Sequence, residues 1–230
     1  MRLDLNKKWS VFKESDSRYF IITGGRGSGK SFTINALLVL LTIESGHVIL
    51  FTRYTLRSAH ISIIPEFKEK IEILSSQDYF NVTKDEIINK LTGSKILFRG
   101  IKTSSGDQTA SLKSLQGVTT WIMDEAEELT DESIFDKIDL SVRQKGKQNR
   151  IILMLNPTTK EHFIYKRWFE GRGVQAGENI IKGDTTYIHT TYLDNIENLS
   201  ESYIKQIEQM KIRRPKNFKH IVEGSWLEKA

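Results

Sequence analysis

The sequence predicts an α/β fold: a mostly parallel sheet with helices on both faces and a small helical piece at the C-terminal end. Three observations carry this expectation. Short apolar, β-rich runs alternate with helical stretches between residues 19 and 155, as parallel strands joined by crossover helices require. A glycine cluster, GGRGSGKS at 24–31, separates the first such run from the first long helical stretch. Residues 191–230 read as helical segments with too little apolar strand for a second sheet.

The elements follow in order. YFIIT at 19–23 is a short strand that stops at the glycines, and 31–45 is a mostly apolar helix closed by Gly46 as its C-cap. HVILFTR at 47–53 is a second strand. Residues 55–75 are helical, with Pro65 either kinking the helix or opening a new one. Residues 80–100 alternate and turn at Thr92-Gly93-Ser94, the pattern of small antiparallel strands ending in KILFRG. VTTWIM at 118–123 is a strand running into DEAEEL, and Thr130 is placed to N-cap a helix carrying Ile134, Phe135, Ile138 and Val142. RIILML at 150–155 is the next strand, halted by Asn156-Pro157. Helical segments at 161–169 and 200–212 then flank a strand at 185–191. The expected division is a core over 1–190 and a helical lid or linker over 191–230.

Composition narrows the function. A chain of 230 residues, 38% hydrophobic, can bury a sizeable core without staples. With no cysteine it has no disulfide, iron–sulfur or thiolate-zinc chemistry. Its five histidines form no i, i+4 pair, and no apolar stretch approaches the length of a membrane span. No signal-peptide pattern opens the sequence, so a soluble protein of a reducing compartment, without a membrane partner, is expected. The net charge of +5 is concentrated. RQKGKQNR at 143–150 holds four bases and KIRRPKNFKH at 211–220 holds five Lys/Arg and a His, both without an acid. Each is either a solvated surface or a track for a polyanion.

The chemistry centres on GGRGSGKS. It fits G-x-x-x-x-G-K-[ST] with Gly24, Gly29, Lys30 and Ser31 at the fixed places, between a strand and a helix, where that motif works. This is the phosphate-binding loop of P-loop NTPases. Glycines at 24, 25, 27 and 29 let successive N–H groups converge on phosphate oxygens, with Arg26, Ser28 and Phe32 completing the shell around the nucleotide. The helix that starts near Lys30 points its positive end at the same anion. Lys30 is expected to reach the β- and γ-phosphates of ATP, and the Ser31 hydroxyl to hold Mg²⁺. Asp124-Glu125 ends an apolar strand, so Asp124 is the natural second partner of the Mg²⁺ and Glu125 can polarise a water for in-line attack. A paired glutamate suits a hydrolase better than a small-molecule kinase, which must exclude water. It places the chain in the additional-strand, catalytic-glutamate branch, with HVILFTR able to supply the strand between loop strand and acid strand. Asn156, at the end of the next strand, can hold the attacking water or sense the γ-phosphate; the other reading is a turn initiator before proline. Arg26 either touches phosphate or a neighbouring subunit, or lies on the surface.

Read together, GGRGSGKS, TRYTLRSA at 52–59, ILFRG at 96–100, SLKSLQGVTTWIMDEAEEL at 111–129, RIILMLNP at 150–157 and NFKHIVEGSW at 217–226 resemble the ATPase domain of tailed-phage terminase large subunits. The resemblance implies ATP-driven translocation of double-stranded DNA into a procapsid by a homo-oligomeric ring, commonly a pentamer, docked on a portal protein and served by a small terminase subunit. It implies a monomer in isolation, residence in the host-cell cytoplasm with transient docking at the portal, and absence from the mature virion. It implies a coupling role for Asn156 and a nucleotide-side role for Arg53. Family members usually continue into an RNase H-like nuclease; no such acidic cluster follows here, so DNA cleavage is not expected of these residues. The family's trans-acting arginine is expected shortly before the acid strand, where Lys113 stands, a weaker mimic; Arg143 is the alternative. A cellular P-loop ATPase acting on nucleic acid, of helicase or repair type, is the competing reading.

Overall fold

The structure, a computed structural model, describes residues 7–102 and 116–228. The chain divides into two compact, sequence-interleaved units. Unit 1 comprises Ser31–Asp124 and Asp131–Leu153; unit 2 comprises Asn6–Lys30, Glu125–Thr130 and Met154–Ala230.

Unit 1 is built on strands β2 (Val48–Arg53), β3 (Phe80–Val82), β4 (Glu86–Asn89), β5 (Lys95–Gly100), β6 (Thr120–Asp124) and β7 (Arg150–Leu155, whose last two residues fall in unit 2), in the order β3-β4-β5-β2-β6-β7. β2 is parallel to both β5 and β6, while β3, β4 and β5 form an antiparallel meander. The meander is the one anticipated, with an additional turn at 83–85. The two neighbours of β2 are therefore β5 and β6, so HVILFTR is not the strand separating loop strand from acid strand. The strand on the other side of β6 is β7, because Arg150 N–H donates to Thr119 O at 2.9 Å and starts that pairing. Sequence order misleads here because the connection after β5 crosses back over β2 to place β6 on its other side.

The central strands are apolar on both faces, as burial from both sides demands. Phe51, Phe67 and Phe98 meet edge-on or tilted at 5.2–5.6 Å between centroids, and the Trp121 indole N–H finds Thr52 Oγ1 at 2.8 Å. Buried tryptophan is stable there because its one polar atom is satisfied. Helix α2 (Lys30–Leu41), whose first residue closes unit 2, ends earlier than the expected 45. The Thr42 hydroxyl donates back to Val39 O at 2.6 Å, and the chain tightens through Ile43 N–H to Leu40 O before Gly46 turns it at φ +83°. Pro65 opens a helix rather than kinking one: α3 (Ala59–Ser62) stops, and α4 (Ile64–Ile73) starts with the proline in its first turn. Helix α5 (Glu132–Asp139) is capped by Asp131, not Thr130. The Asp131 carboxylate accepts the Ser133 N–H at 2.9 Å, a cap contributing about 1 kcal/mol.

Unit 2 holds α1 (Val11–Glu14) and strands β1 (Tyr19–Gly24), β8 (Ile180–Lys182) and β9 (Thr185–Thr190), ordered β1-β9-β8. β1 and β9 are parallel in the register Gly24↔Thr190; β8, which the sequence reading missed, pairs antiparallel with β9. β8 has only three residues, Ile180, Ile181 and Lys182, too few for an alternating pattern to show, and all three are exposed. The expected helix at 161–169 is a π-helical turn at Tyr165–Phe169. It sets Tyr165, tilted, and Phe169, edge-on, against Trp226 of the GSW stretch, at 5.2 and 5.6 Å between centroids. Beyond β9 come a 3₁₀ segment (Tyr192–Asn198), helix α6 (Glu201–Arg213), the short α7 (Pro215–Asn217) and a π-helical turn (Phe218–Val222). They share a core of Tyr192, Ile207, Phe218 and Val222. No helix among the described residues is long and apolar enough to cross a membrane.

Candidate active site

β1 delivers the chain to Gly24 and α2 starts at Lys30, so residues 25–29 form a tight strand-to-helix turn. Gly27 and Gly29 have φ of +76° and +75°, a region where a Cβ is strained. Gly25 is glycine for a different reason. A Cβ there would lie 1.9 Å from the Val222 carbonyl oxygen, because the C-terminal segment packs directly on the loop. The same segment bonds the loop's backbone: Arg26 N–H donates to Ile221 O at 2.9 Å, and Asn195 Nδ2 donates to Gly27 O at 3.0 Å. The Tyr203 ring closes over Gly27, about 3.0 Å from where its Cβ would stand. His189 links β9 to this arrangement, meeting Thr23 Oγ1 at 2.8 Å through Nδ1 and Glu223 O at 2.9 Å through Nε2. Burial pushes its pKa below the ordinary 6.5, which suits a neutral ring that donates from Nε2 and accepts at Nδ1. Ser28 Oγ is buried inside the loop with no hydrogen-bond partner among the described residues, a polar atom that a ligand oxygen would satisfy.

Lys30 extends its Nζ to Asn156 Oδ1 at 2.6 Å. The structure thus joins two of the residues singled out in the sequence, the loop lysine and the amide at the end of β7. Glu125 is also in unit 2, exposed, in the left-handed conformation at φ 52°, ψ 47°. For a residue with a Cβ this costs about 1–2 kcal/mol. It turns the chain sharply after Asp124, so the two successive acids do not share a direction. The turn is held from behind: His162 Nε2 donates to Glu127 O at 3.1 Å, with its pKa lowered by burial.

In unit 1 the parallel register Thr52↔Met123 sets Arg53 beside Asp124. Arg53 Nε donates to Asp124 Oδ2 at 2.8 Å, and the acid is nearly buried. Behind them α4 contributes Glu66, whose carboxylate accepts Asn35 Nδ2 at 3.3 Å. Desolvation pushes the Glu66 pKa up while Arg53 and Lys70 pull it down. Lys70, buried, sets its ammonium 4.2 Å from the centroid of Phe32. Ser31 and Phe32 are exposed on the first turn of α2. Ser31 and Asp124 offer one hydroxyl and one carboxylate, the hard oxygen donors that Mg²⁺ takes. Among the described residues no group of three or more His, Cys, Asp or Glu could hold a metal unaided. That fits Mg²⁺, which draws its remaining ligands from phosphate and water.

The Arg26 side chain is exposed on the loop. Arg143 is exposed before β7, at the edge where β6 and β7 begin, whereas Asp124 stands at the other end of β6. Lys113 lies outside the described residues. Asn195, Tyr203, Ile221, His189 and His162 escaped the sequence reading because each acts through a backbone group or a close approach. Only the NFKHIVEGSW stretch hinted that the C-terminal segment belongs to the site.

The glycine-rich strand-to-helix turn between β1 and α2 carries the P-loop motif, and the fold is that of P-loop NTPases. Residues 16–225 match the family model of the phage terminase large subunit, and the chain belongs to that family. It is 26% identical over 231 residues to the terminase large subunit of Bacillus phage SPP1, covering 95% of this chain and 51% of that protein. The large terminase of a thermophilic bacteriophage has the same fold, with a TM-score of 0.75 at 14% identity over 98% of this chain and 54% of that one. That terminase has also been solved with ATP-γ-S. The packaging motor assembly of bacteriophage Phi-29 aligns with a TM-score of 0.64 at 14% identity, over 98% of this chain and 70% of that one. The chain spans about half the length of the curated relatives it matches.

Proposed function

We propose that this chain is the ATPase part of a DNA-packaging motor, hydrolysing ATP to drive double-stranded DNA into a viral procapsid. Family membership supports the reading, and one local observation carries the hydrolysis: an acid held in a left-handed turn directly after the strand-end Asp124. Such strain persists where a function needs it.

The loop amides from Gly27 to Gly29 bind the triphosphate, helped by the positive end of α2, while the Arg26 amide stays on Ile221 O. Lys30 leaves Asn156 for the β- and γ-phosphates, and Asn156, once released, is free to hold the attacking water. Glu125 accepts that water's proton as it attacks the γ-phosphorus, and ADP departs as the leaving group. Ser31 and Asp124 would hold Mg²⁺, which neutralises charge on the phosphates when bound. Since Lys30 and Asn156 share one hydrogen bond, occupancy of the loop is registered at the end of β7.

The larger assignments belong to the same proposal: a ring of copies, commonly five, on a portal protein, a small terminase subunit as helper, and a monomer when isolated. The site of action is the host cytoplasm and, transiently, the procapsid portal, not the finished virion. Residues 1–190 act as the motor core and 191–230 as its lid or linker. A basic residue from a neighbouring copy, Lys113 or Arg143, completes the site, so the isolated chain turns over slowly.

Single-turnover hydrolysis of Mg·ATP by Glu125→Gln tests the reading. ATP affinity should stay within about threefold of wild type while turnover falls by roughly 10²–10⁴, the usual worth of a general base. Turnover at the wild-type rate would remove Glu125 from its role.

A further inference from the structure

The sequence holds two acid-free basic stretches, and the structure separates them. In 143–150, Lys147 Nζ is spent on Ser45 O at 2.7 Å and Arg150 is buried, leaving Arg143 and Lys145 exposed. In 211–219 all five cations, Lys211, Arg213, Arg214, Lys216 and Lys219, are exposed, and none joins an ion pair among the described residues. The nearest acid along α6, Glu208, is held by the Tyr192 hydroxyl at 2.9 Å.

This patch stands on a rigid base. Pro215 breaks the chain between α6 and α7, and the turn is tied by Arg214 N–H to Met210 O at 2.7 Å and Phe218 N–H to Arg214 O at 2.9 Å. Phe218, anchored in the core with Tyr192, Ile207 and Val222, lies beneath the Lys211 ammonium at 5.8 Å. Side chains on such a platform lose less freedom on binding than those of a free loop.

We propose that Lys211, Arg213, Arg214, Lys216 and Lys219 form a surface that engages the sugar–phosphate backbone of duplex DNA, independent of sequence. The inference rests on the packaging reading and adds to it the residues that touch the cargo. Charge density favours a nucleic acid over an acidic protein. Nine residues of unbroken helix would rise about 12 Å; a duplex presents one phosphate charge per about 1.7 Å of axis, roughly seven over that length. Five exposed cations in so short a stretch match a polyanion of that density. The patch also ends two residues before Ile221, whose carbonyl holds the Arg26 amide, so one segment carries both the DNA contact and the grip on the phosphate loop.

The test measures binding of the intact chain to a fluorescent 30-base-pair duplex of arbitrary sequence across a salt series. Five phosphate contacts give a slope of log K on log[salt] of about −4.5. The triple variant Arg213→Gln/Arg214→Gln/Lys216→Gln should bring it to about −2 and weaken binding about tenfold or more at the lowest salt. The charge-matched triple Lys68→Gln/Lys84→Gln/Lys145→Gln should leave the slope near wild type. No duplex binding by wild type, an unchanged slope in the first triple, or an equal fall in both triples overturns the proposal. So does a first triple that keeps duplex binding but loses binding to poly-glutamate, which would mark an acidic protein as partner. Mg·ATP affinity and the thermal midpoint of the first triple should match wild type, so failure here is distinguishable from failure of the ATPase reading.

Discussion

The phosphate loop in unit 2 and the strand-end acid in unit 1 are held by opposite means. The loop is fixed through its main chain: Arg26 N–H on Ile221 O, Asn195 on Gly27 O, and residues 221–222 so close that Gly25 has no room for a methyl group. Asp124 is fixed by charge, through Arg53 at 2.8 Å and with Glu66 and Lys70 of α4 close enough to feel the same field. Shape therefore governs one region and electrostatics the other. Substitutions that add volume should damage the loop, and substitutions that remove charge should damage the acid.

Gly25→Ala should have the largest effect. Its Cβ would meet a carbonyl oxygen at 1.9 Å, so the backbone of either the loop or residues 221–222 must move. Overpacking of this kind costs about 1–3 kcal/mol, and for a chain of this size each kcal/mol lowers the thermal midpoint by about 2–4 °C. Mg·ATP affinity, read by calorimetry, should fall about tenfold or more, one decade per 1.4 kcal/mol. Gly93→Ala is the matched control. Its φ of +76° carries a conformational cost of about 1–2 kcal/mol, but nothing lies within 4 Å of the added carbon and ATP affinity should not change. If the two variants weaken ATP binding equally, the C-terminal segment does not shape the loop.

That contrast explains what could be read from the sequence. The place of the glycine loop between β1 and α2, and of Asp124 at the end of β6, was legible because the motif fixes residue types and spacing. The strand pattern was legible because burial on both faces makes strands such as RIILML apolar after their first residue. Gly25 as a packing glycine was not, since its neighbour, Val222, lies far along the chain and contributes only a carbonyl. The place of HVILFTR was misread because strand order depends on crossovers, which leave no local trace. Arg53 stood at the end of its strand in the sequence reading, yet its partner followed only from the register that sets Thr52 against Met123.

Arg53→Gln should have the intermediate effect. It leaves a nearly buried carboxylate without its cation, and hydrogen bonds to charged groups contribute about 1.5–3 kcal/mol. Arg53 is 23% exposed, so solvent screening brings the expectation to about 1–2 kcal/mol. A double-mutant cycle with Asp124→Asn, followed by denaturant unfolding, should return a coupling energy of about 0.5 kcal/mol or more. Additive losses would mean that the pair does not hold the acid, and that the electrostatic half of the contrast is wrong.

The smallest effect expected is one of pH, and it falls on the loop side. His189 ties Thr23 at the end of β1 to Glu223 in the C-terminal segment, and its neutral ring already satisfies both partners. Burial is the main reason its pKa lies below 6.5; Lys8 and Lys30 oppose the charged form as well, while the Glu223 carbonyl and Asp194 favour it. With the folded pKa depressed, the unfolded chain binds more protons between that value and 6.5. The contribution is complete above 6.5 and is lost as the pH falls through this window. His47 and His162, also lowered by burial, act in the same direction, so His189→Gln removes one of three contributions. Thermal midpoints at pH 7.5 and 5.5 should therefore lie closer together in His189→Gln than in wild type without becoming equal. An unchanged separation would mean that the bridge from β1 to the C-terminal segment does not depend on a neutral imidazole, leaving the grip on the loop to main-chain contacts alone.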